Sequence, residues 1–158
     1  MSVIAIESAM EHTYAEPEDQ AIVQRALDAA EDRAQDFLQR NFYVDAVALA
    51  AARATVPTLR SAARTAYRNA LDAAAAITDE EVRNEAIADA DQEFDDALVA
   101  AQRIQNGIAI KPAIIAACLL ITGHLYTNRE DVVIGTIASQ LPSGAEPLLW
   151  PSRVGLGV

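Results

Sequence analysis

Residues 57–106 repeat one pattern twice. From Pro57, Leu59, Ala63, Ala66, Tyr67, Ala70, Leu71, Ala74 and Ile77 recur at three- and four-residue steps; Val82, Ala86, Ile87, Ala90, Phe94, Ala97, Leu98, Ala101 and Ile104 do so again. That is the period of a helix with one apolar face. Between the two runs, Thr78-Asp79-Glu80-Glu81 supplies an N-cap with glutamate three residues on, a capping box, and Asn106-Gly107 supplies a stop. The segment is therefore expected to form a long antiparallel helical hairpin. Aromatic residues are 5% of the chain. Alanine is roughly a fifth, a composition that favours closely packed helices over a β-sandwich. The expected fold class is all-α: a small helical bundle carrying the hairpin and ending in an irregular C-terminal tail.

The flanks extend this reading. Residues 3–15 suit a short helix or strand, and Glu16-Pro17-Glu18-Asp19 then places proline and acids where a helical first turn accepts both. Ile22, Val23, Ala26, Leu27, Ala30, Ala34, Phe37 and Leu38 mark an apolar stripe that ends near Asn41. Phe42-Tyr43-Val44 reads as briefly extended, and 46–53 as alanine-rich helix until Pro57 interrupts it. The last long helix runs from Pro112 through Ile114, Ile115, Cys118, Leu119, Ile121, Leu125 and Tyr126 to about residues 128–130. It is apolar nearly all round, so it must be central in the core or covered by neighbouring subunits. A short helix after Gly135, through Gln140, fits as well. In the tail, turn residues alternate with Leu148, Leu149 and Trp150, apolar side chains that need a partner surface. A chain of 158 residues suits one core. We read 1–158 as a single domain, with 57–106 a hairpin insertion and 141–158 a docking tail.

Charge narrows the function. With 23 acidic against 12 basic residues and a net charge of −11, the chain as a whole does not attract nucleic-acid phosphates, and sequence-specific DNA binding is disfavoured. Cys118, the one cysteine, lies in an apolar run and suits packing in a reducing compartment. The N-terminus lacks the basic and apolar regions of a secretory signal. The most apolar window, 113–122, is about half the length that spans a bilayer, so no membrane partner is expected.

Candidate chemistry is sparse. His12 and His124 are the two histidines, and neither has a cysteine or second histidine at metal-ligand spacing. His124 could approach Glu130 or Asp131 around its helix end, a weak catalytic hint. Nucleophile elbow, phosphate loop, dinucleotide fingerprint and zinc-hydrolase motif are all missing, so no enzyme, metal or cofactor is expected. The acids between Asp79 and Asp96 lack the central glycine of a calcium loop and read as a solvated helix face. Placed along a channel, such a face would let a polyanion slide without sticking. Arg60, Arg64 and Arg68 form a ridge that antiparallel packing would bring against Asp89, Asp91, Glu93, Asp95 and Asp96.

The two ends carry a more specific pattern. Tyr126, Arg129 and Glu130 close the last apolar helix, Leu141-Pro142 follows as a turn, and Leu148-Leu149-Trp150-Pro151-Ser152-Arg153 forms a Leu-Leu-x-Pro-x-Arg tail. Acids at 18 and 19 precede an amphipathic helix ending Phe37-Leu38-Gln39-Arg40. Together these resemble the tailed-bacteriophage head-tail connector proteins, the head-completion adaptors beneath the portal. The resemblance covers both ends and not 46–106, where many relatives carry a short β-rich connection. It implies an α-helical protomer that is assembled in the host cytoplasm and joins a twelve-fold homo-oligomeric ring under the portal protein in the virion. Such a ring extends the channel through which double-stranded DNA passes without sequence-specific binding, and offers a platform to the next head-completion (stopper) or tail protein. No catalysis is implied. Candidate ring or portal contacts are Tyr126, Arg129, Glu130, Leu141, Pro142, Leu148, Leu149, Trp150, Pro151 and Arg153. Leu148, Leu149 and Trp150 would serve as interface anchors, with the prolines lowering the ordering cost. The plainer reading folds the tail back on its own core.

Two other classes compete. In one, the 57–106 hairpin recruits a protein partner and the ends complete a bundle outside any virion. In the other, an enzyme centres on His124 and would show an accessible cleft around it.

Overall fold

The computed structural model describes residues 2–128 and 144–154. In chain order the elements are α1 (Ile6–Thr13), a 3-10 turn (Pro17–Asp19), α2 (Gln20–Leu38), β1 (Phe42–Tyr43), α3 (Ala46–Ala75), α4 (Glu80–Gln105), β2 (Ile108–Ala109), α5 (Pro112–Thr127), α6 (Glu146–Leu149) and a second 3-10 turn (Trp150–Ser152). The class is all-α. The chain divides into two compact units, Met1–Ala46 with Ile108–Val158, and Val47–Gly107.

The first unit is built on α2 against α5. The stripe expected on α2 buries Val23, Leu27, Ala30, Ala34 and Leu38 against Ile114, Ala117, Cys118 and Ile121 of α5. Each large aliphatic side chain so buried contributes about 1.5–3 kcal/mol. α5 is central, as its all-round apolarity requires: it packs against α1, α2 and α6. Its buried hydroxyl, Thr122, donates back to the Cys118 carbonyl at 2.8 Å and so costs little. α1 and α2 both end in left-handed caps on ordinary residues, Tyr14 (φ 51°) and Gln39 (φ 55°). At the second, the Gln39 and Arg40 amides return to the Asp36 and Gln35 carbonyls.

Phe42-Tyr43, expected to be extended, pairs in parallel with Ile108-Ala109, Phe42 opposite Ile108. The chain therefore leaves this unit and re-enters it at adjacent, hydrogen-bonded points. That juxtaposition lets 47–107 be inserted without disturbing the α2–α5 core.

In the second unit α3 and α4 meet in reverse order along their lengths. Arg53 donates to the Gln105 and Gly107 carbonyls, Arg60 to Gln102 Oε1 at 2.9 Å, and Tyr67 to Asp91 Oδ1 at 2.6 Å while its ring stacks on Phe94 at 4.8 Å. The two helices thus run antiparallel, with Val56, Ala74, Ala90 and Ala101 buried between them.

Three local expectations need correction. Pro57 does not interrupt the helix: α3 runs unbroken through it. A mid-helix proline removes one backbone bond and costs about 3 kcal/mol. Alanine-rich turns on both sides, buried Val56 and the two Arg53 bonds to the end of α4 outweigh that loss. The N-cap of α4 is Asp79 rather than Thr78, its carboxylate accepting from Glu81 and Val82 amides, so the residue three positions on is valine and the capping box does not form. The arginine ridge does not carry the cross-helix bonds to the acids. Arg60 takes a glutamine, Arg68 reaches Thr65 on its own helix, and Tyr67 is the residue that engages Asp91.

Candidate functional site

The tail is the segment the sequence marks for contact, and it is held from both sides. Residues 146–152, expected to be irregular, form one turn of α-helix followed by a 3-10 turn. The Leu148 and Leu149 amides both return to the Ala145 carbonyl, and Val154 donates to the Leu38 carbonyl at 3.1 Å, fixing the tail to the end of α2. The alternation of large apolar residues now has a direction. Leu149 is fully buried in the α2–α5 core, Leu148 is half-buried against it, and Trp150 stays 46% exposed. Leu149 is thus a core side chain, and the tail folds back on its own unit at that residue. Of the three expected anchors Trp150 is the one that faces solvent, beside exposed Pro151.

Arg153 completes this corner. Its guanidinium lies 4.9 Å from the centre of the Phe37 ring and 5.5 Å from that of Trp150; the two rings stand 6.1 Å apart, tilted by 49°. A guanidinium between two aromatic faces is attracted by both ring quadrupoles. Its Nε is buried without a hydrogen-bond partner among the described residues. Phe37 on α2 and Trp150 and Arg153 in the tail therefore form one cluster, two tilted rings with the guanidinium over both. The cluster has no nucleophile or acid–base pair, and what it offers chemically is an aromatic and cationic contact.

At the other end of α5, half-buried Tyr126 donates its hydroxyl to Asp19 Oδ2, joining the helix end to the turn before α2. This is a positioning bond within the unit. Arg129, Glu130, Leu141 and Pro142, together with the short helix expected through Gln140, lie outside the described residues. The histidines do not converge. His124 is exposed with Nδ1 3.1 Å from the Asn128 amide nitrogen, and His12 lies against Gly123 in an open depression with Ser8, Glu11, Tyr14 and Leu119. Among the described residues, no group of three histidines, cysteines or carboxylates could hold a metal, and no helix is long and apolar enough to cross a membrane. The Cys118 thiol is buried in the core, its pKa pushed up to about 12 by burial first and then by the Glu31 carboxylate, which leaves it a neutral packing group.

Glu31 was not singled out from the sequence. It is 3% exposed on α2 and accepts from the Ser2 hydroxyl (2.6 Å), the Val3 amide (2.9 Å) and the Ile4 amide (2.8 Å). The signal was present: an acid four residues after Leu27, on the apolar stripe itself, must find hydrogen-bond donors or unfold its helix. Its partners lie 27 to 29 residues away, and periodicity says nothing of them. The chain matches no protein-family model, no curated protein and no solved structure.

Proposed function

We propose that the chain is a virion structural protein, an adaptor subunit that attaches beneath the portal of a tailed bacteriophage. In this reading a twelve-fold ring extends the DNA channel and carries the stopper or tail protein that follows. The observation that supports it is the tail: the Leu-Leu-x-Pro-x-Arg segment is tied to α2, and it presents Trp150 on a cluster with Phe37 and Arg153. Aromatic and arginine side chains dominate protein interfaces because they desolvate large areas with few rotors. The net charge of −11 suits a channel wall that repels DNA phosphates rather than gripping them.

The test is native mass spectrometry and negative-stain imaging of the chain mixed with the portal protein of the same genome, using wild type and Trp150→Ala. Removing the tail outright would also remove Leu149 from the core, so the point variant is the better probe. Twelve copies on the portal, reduced or lost with Trp150→Ala, support the adaptor. No association with an intact portal overturns it. The alternative is then a helical-hairpin protein-binding module outside any virion, a reading favoured by the compactness of 47–107 as a unit of its own.

A further inference from the structure

Each unit is stabilised in its own way. In the first, the buried apolar side chains form one cluster drawn from residues up to Phe42 and from Ile114 onward, with Leu27, Leu38, Ile114, Ile121 and Leu149 fully enclosed. In 47–107 the buried side chains are Val56, Ala74, Ala90 and Ala101, so all but one are single methyl groups. The bonds that cross from α3 to α4, Arg60 to Gln102, Tyr67 to Asp91 and Arg53 to the Gln105 carbonyl, lie at exposed positions where water competes for both partners. On α4, exposed Asp89 and Glu93, and likewise Asp91 and Asp95, stand four residues apart and repel. What sustains this unit is the length of its helices, 30 and 26 residues, and the helix propensity of alanine, both local to each helix.

We infer that 47–107 is a separate cooperative unit, an arm whose two helices part and re-form while the α2–α5 core stays folded. Three observations carry it. Cooperative unfolding follows shared buried contacts, and the large side chains that share them belong to the cluster of the first unit. That unit is closed without the hairpin: Phe42 and Tyr43 pair with Ile108 and Ala109, the Ile108 and Ile110 amides donate to the Asn41 and Tyr43 carbonyls, and both isoleucines pack on the core. Pro57 removes a backbone bond from the middle of α3, which weakens the arm at a point outside that core.

Parting of α3 and α4 uncovers the stacked Tyr67 and Phe94 rings and half-buried Leu71 and Leu98, while Phe37, Trp150 and Arg153 keep their arrangement on the first unit. The arm is thus the part of the chain that changes shape at a cost below that of global unfolding, and the tail is part of what stays fixed. The inference rests on the fold alone and is independent of the adaptor reading.

The experiment is hydrogen–deuterium exchange of the full chain read by mass spectrometry, with rates corrected for the intrinsic exchange of each amide. Interior amides of α3 and α4 are expected to exchange about tenfold or more faster than those in the buried turns of α2 and α5. Two substitutions then separate the units. Pro57→Ala is expected to slow exchange in 47–107 severalfold and leave α2 and α5 unchanged, whereas Leu149→Ala should speed α2 and α5 about tenfold or more and leave 47–107 unchanged. Equal protection in both units, or a substitution that shifts both by the same factor, overturns the inference. Should Leu149→Ala unfold the first unit altogether, protection retained in 47–107 supports a separate arm and its loss refutes one. Portal binding does not enter this measurement, so its outcome and that of the adaptor test are distinguishable.

Discussion

The Ile4 amide donates to the Glu31 carboxylate at 2.8 Å across 27 residues of chain, inside a region where the carboxylate is 3% exposed. With the Val3 amide and the Ser2 hydroxyl, this makes Glu31 the group that fastens the segment before α1 onto α2. Removing it strands two backbone donors. Glu31→Ala is expected to lower stability by about 2–4 kcal/mol, with Glu31→Gln recovering part of the loss through its remaining carbonyl. Urea unfolding followed by circular dichroism checks this; equal stability of all three proteins would contradict it.

Leu149 and Trp150 are neighbours with opposite fates, one fully buried and the other 46% exposed. Leu149→Ala should cost about 2–5 kcal/mol, the range for emptying a buried leucine site. Trp150→Ala should cost clearly less and, on the adaptor reading proposed above, instead weaken portal attachment. Thermal melting read beside portal binding separates the two, and a larger stability loss from Trp150→Ala than from Leu149→Ala would refute the assignment.

Pro57 sits inside a continuous helix of 30 residues. Alanine there restores an amide donor toward the carbonyl four residues back and relieves the ring clash. Pro57→Ala is therefore expected to stabilise the hairpin by about 1–3 kcal/mol. A higher melting temperature with unchanged helical signal is the expected result; a drop would mean that the proline shapes the helix rather than straining it.

The Cys118 pKa, pushed up to about 12, gives a pH dependence with a definite sign. The folded state keeps the thiol neutral where the unfolded chain ionises it. The stability this provides is complete below the unfolded thiol value of about 8.5 and is lost as pH rises from there toward the folded value. Cys118→Ala should flatten that alkaline decline in stability. At neutral pH the thiol should react with iodoacetamide only as fast as the unit opens, which denaturant-dependent labelling rates would report.

How far the sequence reaches can be read element by element. The α2 stripe from Val23 to Leu38, the apolar α5 beginning at Pro112 and the brief extension at Phe42 were all legible. Each depends on interactions within a few residues, where side-chain period, a proline at the first turn or a stop dipeptide decides the outcome. The candidate site was half legible. Leu148, Leu149 and Trp150 stood out as apolar residues wanting cover, but nothing local distinguishes the leucine that enters the core from the tryptophan that stays outside.

That distinction belongs to the tertiary structure, as do the Phe42–Ile108 pairing, the Tyr126 bond to Asp19, the seat of Arg153 on Phe37 and the burial of Glu31. Pro57 shows the same division from the other side, because local propensity argues for a break and packing at Val56 and Arg53 overrides it. By itself the sequence determined where α2, α4 and α5 run and which face of α2 is apolar, since those follow from the period of the backbone, though not the continuity of α3 through Pro57 or the helical turn at 146–149. Only the folded chain decided which apolar faces meet. That choice depends on closing loops of tens of residues and on finding a partner for every buried polar group, a condition the whole chain satisfies at once.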